Sequence, residues 1–199
     1  MWTETTRPKY DRKALRYASD LTDAEWGVIG PLLPPCKPLG HPRTTVMREV
    51  VNAILYMART GCQWRMLPKD FPPKSTVQEY FYAWRTDATL NRINHELLMR
   101  AREADGREAS PSAGVIDSQS VKTTESGGPR GFDAAKLAKG RKRHIVTDTG
   151  GLLVASMVHA ADIQDRDGAP PLLASIRSAF PWLRHVFADG AYTETNVPT

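Results

Sequence analysis

The chain reads as an α+β protein, an all-helical N-terminal part followed by a part built on a mixed sheet. Three observations carry this. From Leu21 to Ala104 the apolar residues recur at helical spacing, and no convincing strand appears. Asp105 to Ala113 is polar, contains Gly106 and Pro111, and interrupts that pattern. Beyond it the apolar residues come in short runs rich in Val and Ile, which favour a pleated, half-buried backbone. Apolar content of 41% and charged content of 25% are ordinary globular values, which excludes wholesale disorder.

Each helix has its own signals. Thr22 with Glu25 three residues later fits a capping box, and Leu21 with Trp26 fits a hydrophobic staple. That first helix should run to about Leu33, where Pro34 and Pro35 stop it. A second should start near Thr44 or Thr45, with Val46, Val50, Ile54 and Ala58 as its stripe and Gly61 as its left-handed closing residue. Ser75 and Gln78 form a second capping box, followed by Val77, Tyr80, Phe81 and Trp84 on one face. A fourth helix, Thr89 to Ala104, carries Leu90, Ile93, Leu97 and Leu98. Trp26, Trp64, Trp84 and Tyr80 read as core.

In the second part, Val115-Ile116 leads into Asp117 as a strand ending near that carboxylate. Thr123 to Gly140 reads as loop. Arg141–Thr147 and Leu152–Val158 read as a hairpin around Asp148-Thr149-Gly150-Gly151, where glycine supplies positive φ. Asp162, Asp165 and Asp167 read as caps and dipole partners of a helix, in which Pro170 and Pro171 are tolerated only in the first turn. Leu183–Phe187 reads as a last strand running to Asp189. The expected division is a basic flexible arm at 1–20, a helical domain at 21–104, a linker at 105–113 and a sheet domain at 114–199.

Charge and cysteine usage narrow the function. The formal net charge is +5, which points to a polyanionic partner. Lys122 to Arg143 alone holds seven basic and two acidic residues, equal to the net charge of the whole chain. Lys122, Lys139, Arg141, Lys142 and Arg143 are the candidate phosphate contacts, which would be salt-dependent and carry no sequence information. Cys36 and Cys62 give neither a disulfide framework nor metal-ligand spacing. No apolar run reaches the roughly 20 residues of a membrane helix. A cytoplasmic protein without a membrane partner is expected.

Asp117 and Asp189, 72 positions apart, are the candidate catalytic and metal-binding residues. Either aspartate alone is an ordinary turn former or cap. Two carboxylates at the ends of neighbouring strands make a hard-oxygen site for Mg²⁺, and sites of this kind serve phosphoryl chemistry. His144 and His159 read as structural.

Asp-Ser-Gln-Ser-Val-Lys at 117–122, Lys-Gly-Arg-Lys-Arg-His at 139–144 and Ala-Asp-Gly-Ala-Tyr at 188–192 resemble bacterial insertion-sequence transposases, in the group called insertion sequence family five. Leu-Thr-Asp-Ala-Glu-Trp at 21–26 and Gly-Cys-Gln-Trp-Arg-Met-Leu-Pro at 61–68 resemble that group's helical domain. The resemblance implies a ribonuclease H-like catalytic domain with an Asp-Asp-Glu triad and two Mg²⁺ ions. It implies cleavage and transfer of double-stranded DNA, at element ends and target. Asp117 and Asp189 fall on the two aspartates. A helix-turn-helix-like N-terminal domain would grip the terminal inverted repeats, within a homo-oligomer.

The family's glutamate lies on a later helix, in a pattern that Glu194 does not match. The second domain is therefore expected to be incomplete: a truncated or frame-shifted product, or the first of two overlapping reading frames, inactive alone. The missing part would supply the third ligand and cover one face of the sheet. Two other readings stand beside it: a DNA-binding module or inhibitor, and a ribonuclease H-like nuclease without preference for repeat ends.

Overall fold

A computed structural model describes residues 11–36, 43–123 and 127–192. The chain forms two compact units, Met1–Ile93 and Asn94–Thr199. The division falls inside a helix, not in the polar stretch at 105–113.

The first unit is helical. α1 (Asp23–Ile29) has the full capping box: the Thr22 hydroxyl accepts from the Glu25 amide, and the Glu25 carboxylate accepts from the Thr22 amide. A 3-10 turn, Gly30–Leu32, ends it before the prolines. α2 (Met47–Thr60) is capped by Val46, without the side-chain bond a threonine would provide, and closes on Gly61 in the left-handed region. Its buried face centres on Val50, Val51 and Ala53, while Val46 lies outside the helix and exposed. α3 (Lys74–Thr86) starts one residue before Ser75, on Pro73, so the expected second box does not form. Leu21, Ile29, Val50, Val51 and Trp84 make one core, and Ala53, Phe71 and Val77 a second.

Residues 11–20 are not a free arm. Tyr17 stacks on Phe71 at 5.1 Å and meets Tyr56 edge-on at 4.8 Å. Arg16 reaches Glu49 at 2.6 Å, and Asp20 is buried. The Tyr17 ring and the Arg16 guanidinium, which also pairs with Asp70, tie this stretch to α2 and the loop before α3. The expectation of an arm over residues 1–10 lies outside the described residues.

α4 (Thr89–Ala104) belongs to both units. Leu90 and Ile93 pack in the first core, and Leu98 and Met99 in the core of the second unit. That split in apolar partners is why the boundary precedes the polar stretch.

The second unit is a five-stranded mixed sheet with helix on one face. β1 (Ala113–Lys122) is central. It pairs antiparallel with β3 (Ala138–Asp148) and parallel with β5 (His185–Phe187). The other edge of β3 takes β2 (Gly131–Asp133) and β4 (Leu153–Ala160), both antiparallel. β2 lies where the sequence reads as loop. α5 (Asp165–Ile176) contains Pro170 and Pro171 in its second turn rather than its first. Each ring removes an amide donor there, and the helix is held instead by burial of Ala169, Leu172 and Ile176 against Ile116 and Val146. The α+β architecture expected from the sequence is the one found. No helix among the described residues is long and apolar enough to cross a membrane.

One buried ion pair closes the β3–β4 turn. Asp148 is buried, pairs with Arg102 of α4 and with Arg107 at 3.1 Å, and accepts from the Gly150 and Leu152 amides at 2.8 Å each. Asp148→Ala leaves the Arg102 guanidinium buried without its counter-charge and should cost on the order of 3–5 kcal/mol. Urea denaturation measures this, and a loss below about 1 kcal/mol would contradict the role.

Candidate active site

Alternation along β1 decides what Asp117 faces. Ile116 and Ser118 are buried, while Val115, Asp117 and Gln119 are exposed on the other side of the sheet. Asp117 is therefore inside the strand, not at its end. β1 runs five residues further because Gln119 to Lys122 continue the ladder with β3. Relative to β5, however, Asp117 does lie beyond the pairing, which stops at Val115 opposite Phe187. Two residues past Val115 is Asp117, and two residues past Phe187 is Asp189. Each aspartate thus follows the last paired residue of its own segment by the same two positions, one still within β1 and the other past the end of β5.

Both aspartates are exposed and each is oriented by a nearby amide. Asp117 Oδ1 accepts from the Ser118 amide at 2.7 Å, and Asp189 Oδ1 from the Ala191 amide at 3.0 Å. Burial raises the Tyr192 pKa; a hydrogen bond to Ser118 opposes this, and Asp165, Asp117 and Asp189 add to the rise. Among the described residues, no group of three or more acidic, histidine or cysteine side chains is placed to hold a metal. The donor chemistry of the aspartate pair fits a hard divalent cation as part of a larger ligand set. Glu194 lies outside the described residues.

The same alternation sorts the basic candidates on β3. Lys139 and Arg143 are exposed on the face that carries Asp117, and Lys122 is exposed at the end of β1. Arg143 stands opposite Gln119 and donates to its Oε1 at 2.6 Å. Arg141 is half-buried and donates to the carbonyls of Gly127 and Pro129, so it first holds the loop before β2. Lys142 differs from all of these. It is buried beneath the sheet, 2.9 Å from Asp165, 3.3 Å from Asp133 and 2.9 Å from the Ile163 carbonyl. A lysine so enclosed and neutralised has no phosphate to meet, and the expected DNA contact at Lys142 is withdrawn.

Around Lys142 lies a polar layer that sequence reasoning did not assemble. Burial pushes the Asp133 carboxyl up, but the Ser120 hydroxyl, the Lys136 amide and Lys142 outweigh it and hold it at about 2. Asp165 is likewise lowered, against its burial, by Lys142 and Ser118. His144 is wholly buried, stacks on His159 at 4.8 Å and meets the Tyr192 hydroxyl through Nδ1 at 3.1 Å. Burial, then the neighbouring His159, lower its pKa to about 4, with Asp165 opposing and Lys142 and Lys136 adding to the fall. Gly168 lets α5 approach: a Cβ there would collide with Nε2 of both histidines. The available signal was strand alternation, which puts Lys142 and His144 on the face of Val146.

Comparison with known proteins identifies the family of both units. Residues 21–94 match the family model for transposases of the IS4/5 family, and residues 108–198 match the model for the transposase DDE domain. An uncharacterized 16.2 kDa protein of insertion element IS402 from Burkholderia cepacia is 30% identical over 113 residues, which cover 54% of this chain and 76% of that relative. The uncharacterized protein y4sN of Sinorhizobium fredii (strain NBRC 101917 / NGR234) is 35% identical over 86 residues, covering 43% and 66% respectively. No solved structure matches significantly.

The buried histidine sets a pH window. His144 is neutral in both states above pH 6.5; between 6.5 and about 4 the unfolded chain takes a proton that the folded one refuses. Stability is therefore lost as pH falls through that window, by up to about 3 kcal/mol. The Asp133 contribution is lost only lower, between 3.8 and about 2. Denaturation midpoints measured from pH 7 to 4 should fall in the wild type and stay flatter in His144→Gln; equal slopes would contradict the assignment.

Proposed function

Because this chain belongs to the insertion-sequence transposases of the IS4/5 family, we propose that its second unit contributes two carboxylates, Asp117 and Asp189, to metal-dependent cleavage and transfer of DNA strands. Family membership carries DNA binding and a general dependence on a divalent metal. The finer reading names Mg²⁺ as the metal, the element's ends and target as the double-stranded DNA, and a homo-oligomer as the acting form. The observation behind it is the β1–β5 register: Asp117 and Asp189 are both exposed, and each lies two residues beyond the last paired position, Val115 or Phe187.

Asp117 and Asp189 would hold the metal. When bound, the metal supplies positive charge that activates water or a terminal 3′-hydroxyl and steadies the departing oxygen. The residues of this chain do the rest. Lys139, Arg143 and Lys122 neutralise phosphates along the open face, and Gln119 fixes the Arg143 guanidinium. Arg141 joins them to the loop at Gly127–Pro129.

A second reading, a module that binds DNA without cutting it, draws on the two-carboxylate set among the described residues. One assay separates the readings: binding and nicking of end-repeat DNA with Mg²⁺ across a salt series. Nicking that Asp117→Asn abolishes while binding survives supports the enzyme; binding without nicking supports the module; nicking retained in Asp117→Asn overturns the role of Asp117. In the same series Lys139→Ala and Arg143→Ala should each reduce the slope of log affinity on log salt by about 1. Lys142→Met should leave that slope unchanged, and a reduced slope would mean that Lys142 does reach the backbone.

A further inference from the structure

We propose that Tyr192 and His144 are positioning residues, whose hydrogen bond beneath the sheet fixes the spacing of the Asp117 and Asp189 carboxylates. The inference rests on the reading that these carboxylates share a cation.

Asp189 needs a restraint that its strand does not provide. β5 pairs with β1 through three residues and stops at Phe187. Asp189 follows outside the ladder. The chain then turns through Gly190–Tyr192, with the Tyr192 amide donating to the Asp189 carbonyl at 3.2 Å and the Ala191 amide to the Asp189 carboxylate at 3.0 Å. Tyr192 is buried in this turn, and its ring joins the core of the second unit. Whatever holds that ring holds Asp189.

The Tyr192 hydroxyl meets His144 Nδ1 at 3.1 Å and hydrogen-bonds Ser118. Ser118 and His144 stand opposite each other across the β1–β3 ladder. Ser118 is also the residue after Asp117. The turn carrying Asp189 is thus fastened to the cross-strand pair adjoining Asp117. The fastening is stiff: His144 is wholly buried, stacked on His159 with Gly168 against its Nε2 edge. Lys142, Lys136 and Asp165 are the charged groups around it. The two carboxylates are exposed while their brace is dry, so the brace is screened from solvent as the carboxylates are not.

Tyr192→Phe removes only the hydroxyl and keeps the ring in the core. Two measurements on the full chain test it. Mn²⁺ titration followed by calorimetry should show a dissociation constant raised about tenfold, the worth of one buried hydrogen bond. Amide exchange at Asp189 and Ala191, without metal, should quicken by a similar factor. Leu172→Ala, which loosens the same core away from the turn, should lower stability and leave Mn²⁺ affinity alone. If Tyr192→Phe does not fold, His144→Phe removes the same bond from the other side and should give the same changes. Asp117→Asn losing Mn²⁺ while Tyr192→Phe behaves as wild type in both measurements overturns the brace and leaves the carboxylate reading standing. A wild-type chain that binds no Mn²⁺ overturns both.

Discussion

The parallel pairing of Ala113–Val115 with His185–Phe187 is the contact on which the site depends. Only three residue pairs make it, yet it sets the register of two segments that are far apart in the chain. A slip of one residue would turn a side chain to the other face of the sheet. The apolar alternation on β1 resists that slip: Ile116 is locked into the core with Val146, Leu172 and Ile176. Hydrophobic burial on one face thus determines which acidic group appears on the other.

β3 applies the same rule to charge. Its basic run places Lys139 and Arg143 outward and Lys142 and His144 inward. The outward members offer charge to a polyanion, weakly and in a salt-dependent way. The inward members are costly to bury and are kept by their partners: Lys142 by Asp133 and Asp165, His144 by staying neutral against Tyr192. Replacing such a layer with apolar residues is often neutral for stability. Under the proposed function it has a different use, to fix the geometry of Asp117 and Asp189. Among the described residues, an apolar groove of about 1000 Å³ runs along α5 and β5, lined by Leu173, Ile176, Phe180 and Val186 among others.

Much of this was legible from the residues. Thr22 and Glu25 announced α1, the Leu90–Leu98 spacing gave α4, and the Asp-Thr-Gly-Gly turn marked the β3–β4 hairpin, because each is a local signal. Asp117 and Asp189 stood out because each follows a short apolar run. What escaped was non-local. Lys142 looks identical to Arg141 and Arg143 until strand alternation against a packed helix is known. Tyr17 reads as part of a polar tail until Tyr56 and Phe71 are brought to it. The position of Asp117 within β1 depends on how far β3 continues opposite it, and the resting place of α4 depends on two separate cores.

The proposed meeting of the two aspartates can be tested without metal or DNA. With Cys36 and Cys62 replaced by serine, Asp117→Cys and Asp189→Cys are combined and gently oxidised. Neighbouring strands bring Cα atoms within the range a disulfide spans. The expected result is rapid intramolecular cross-linking, much faster than when the first cysteine is moved one residue, to Ser118 on the buried face. Equal rates at the two positions, or no cross-link from Asp117→Cys, would contradict the account.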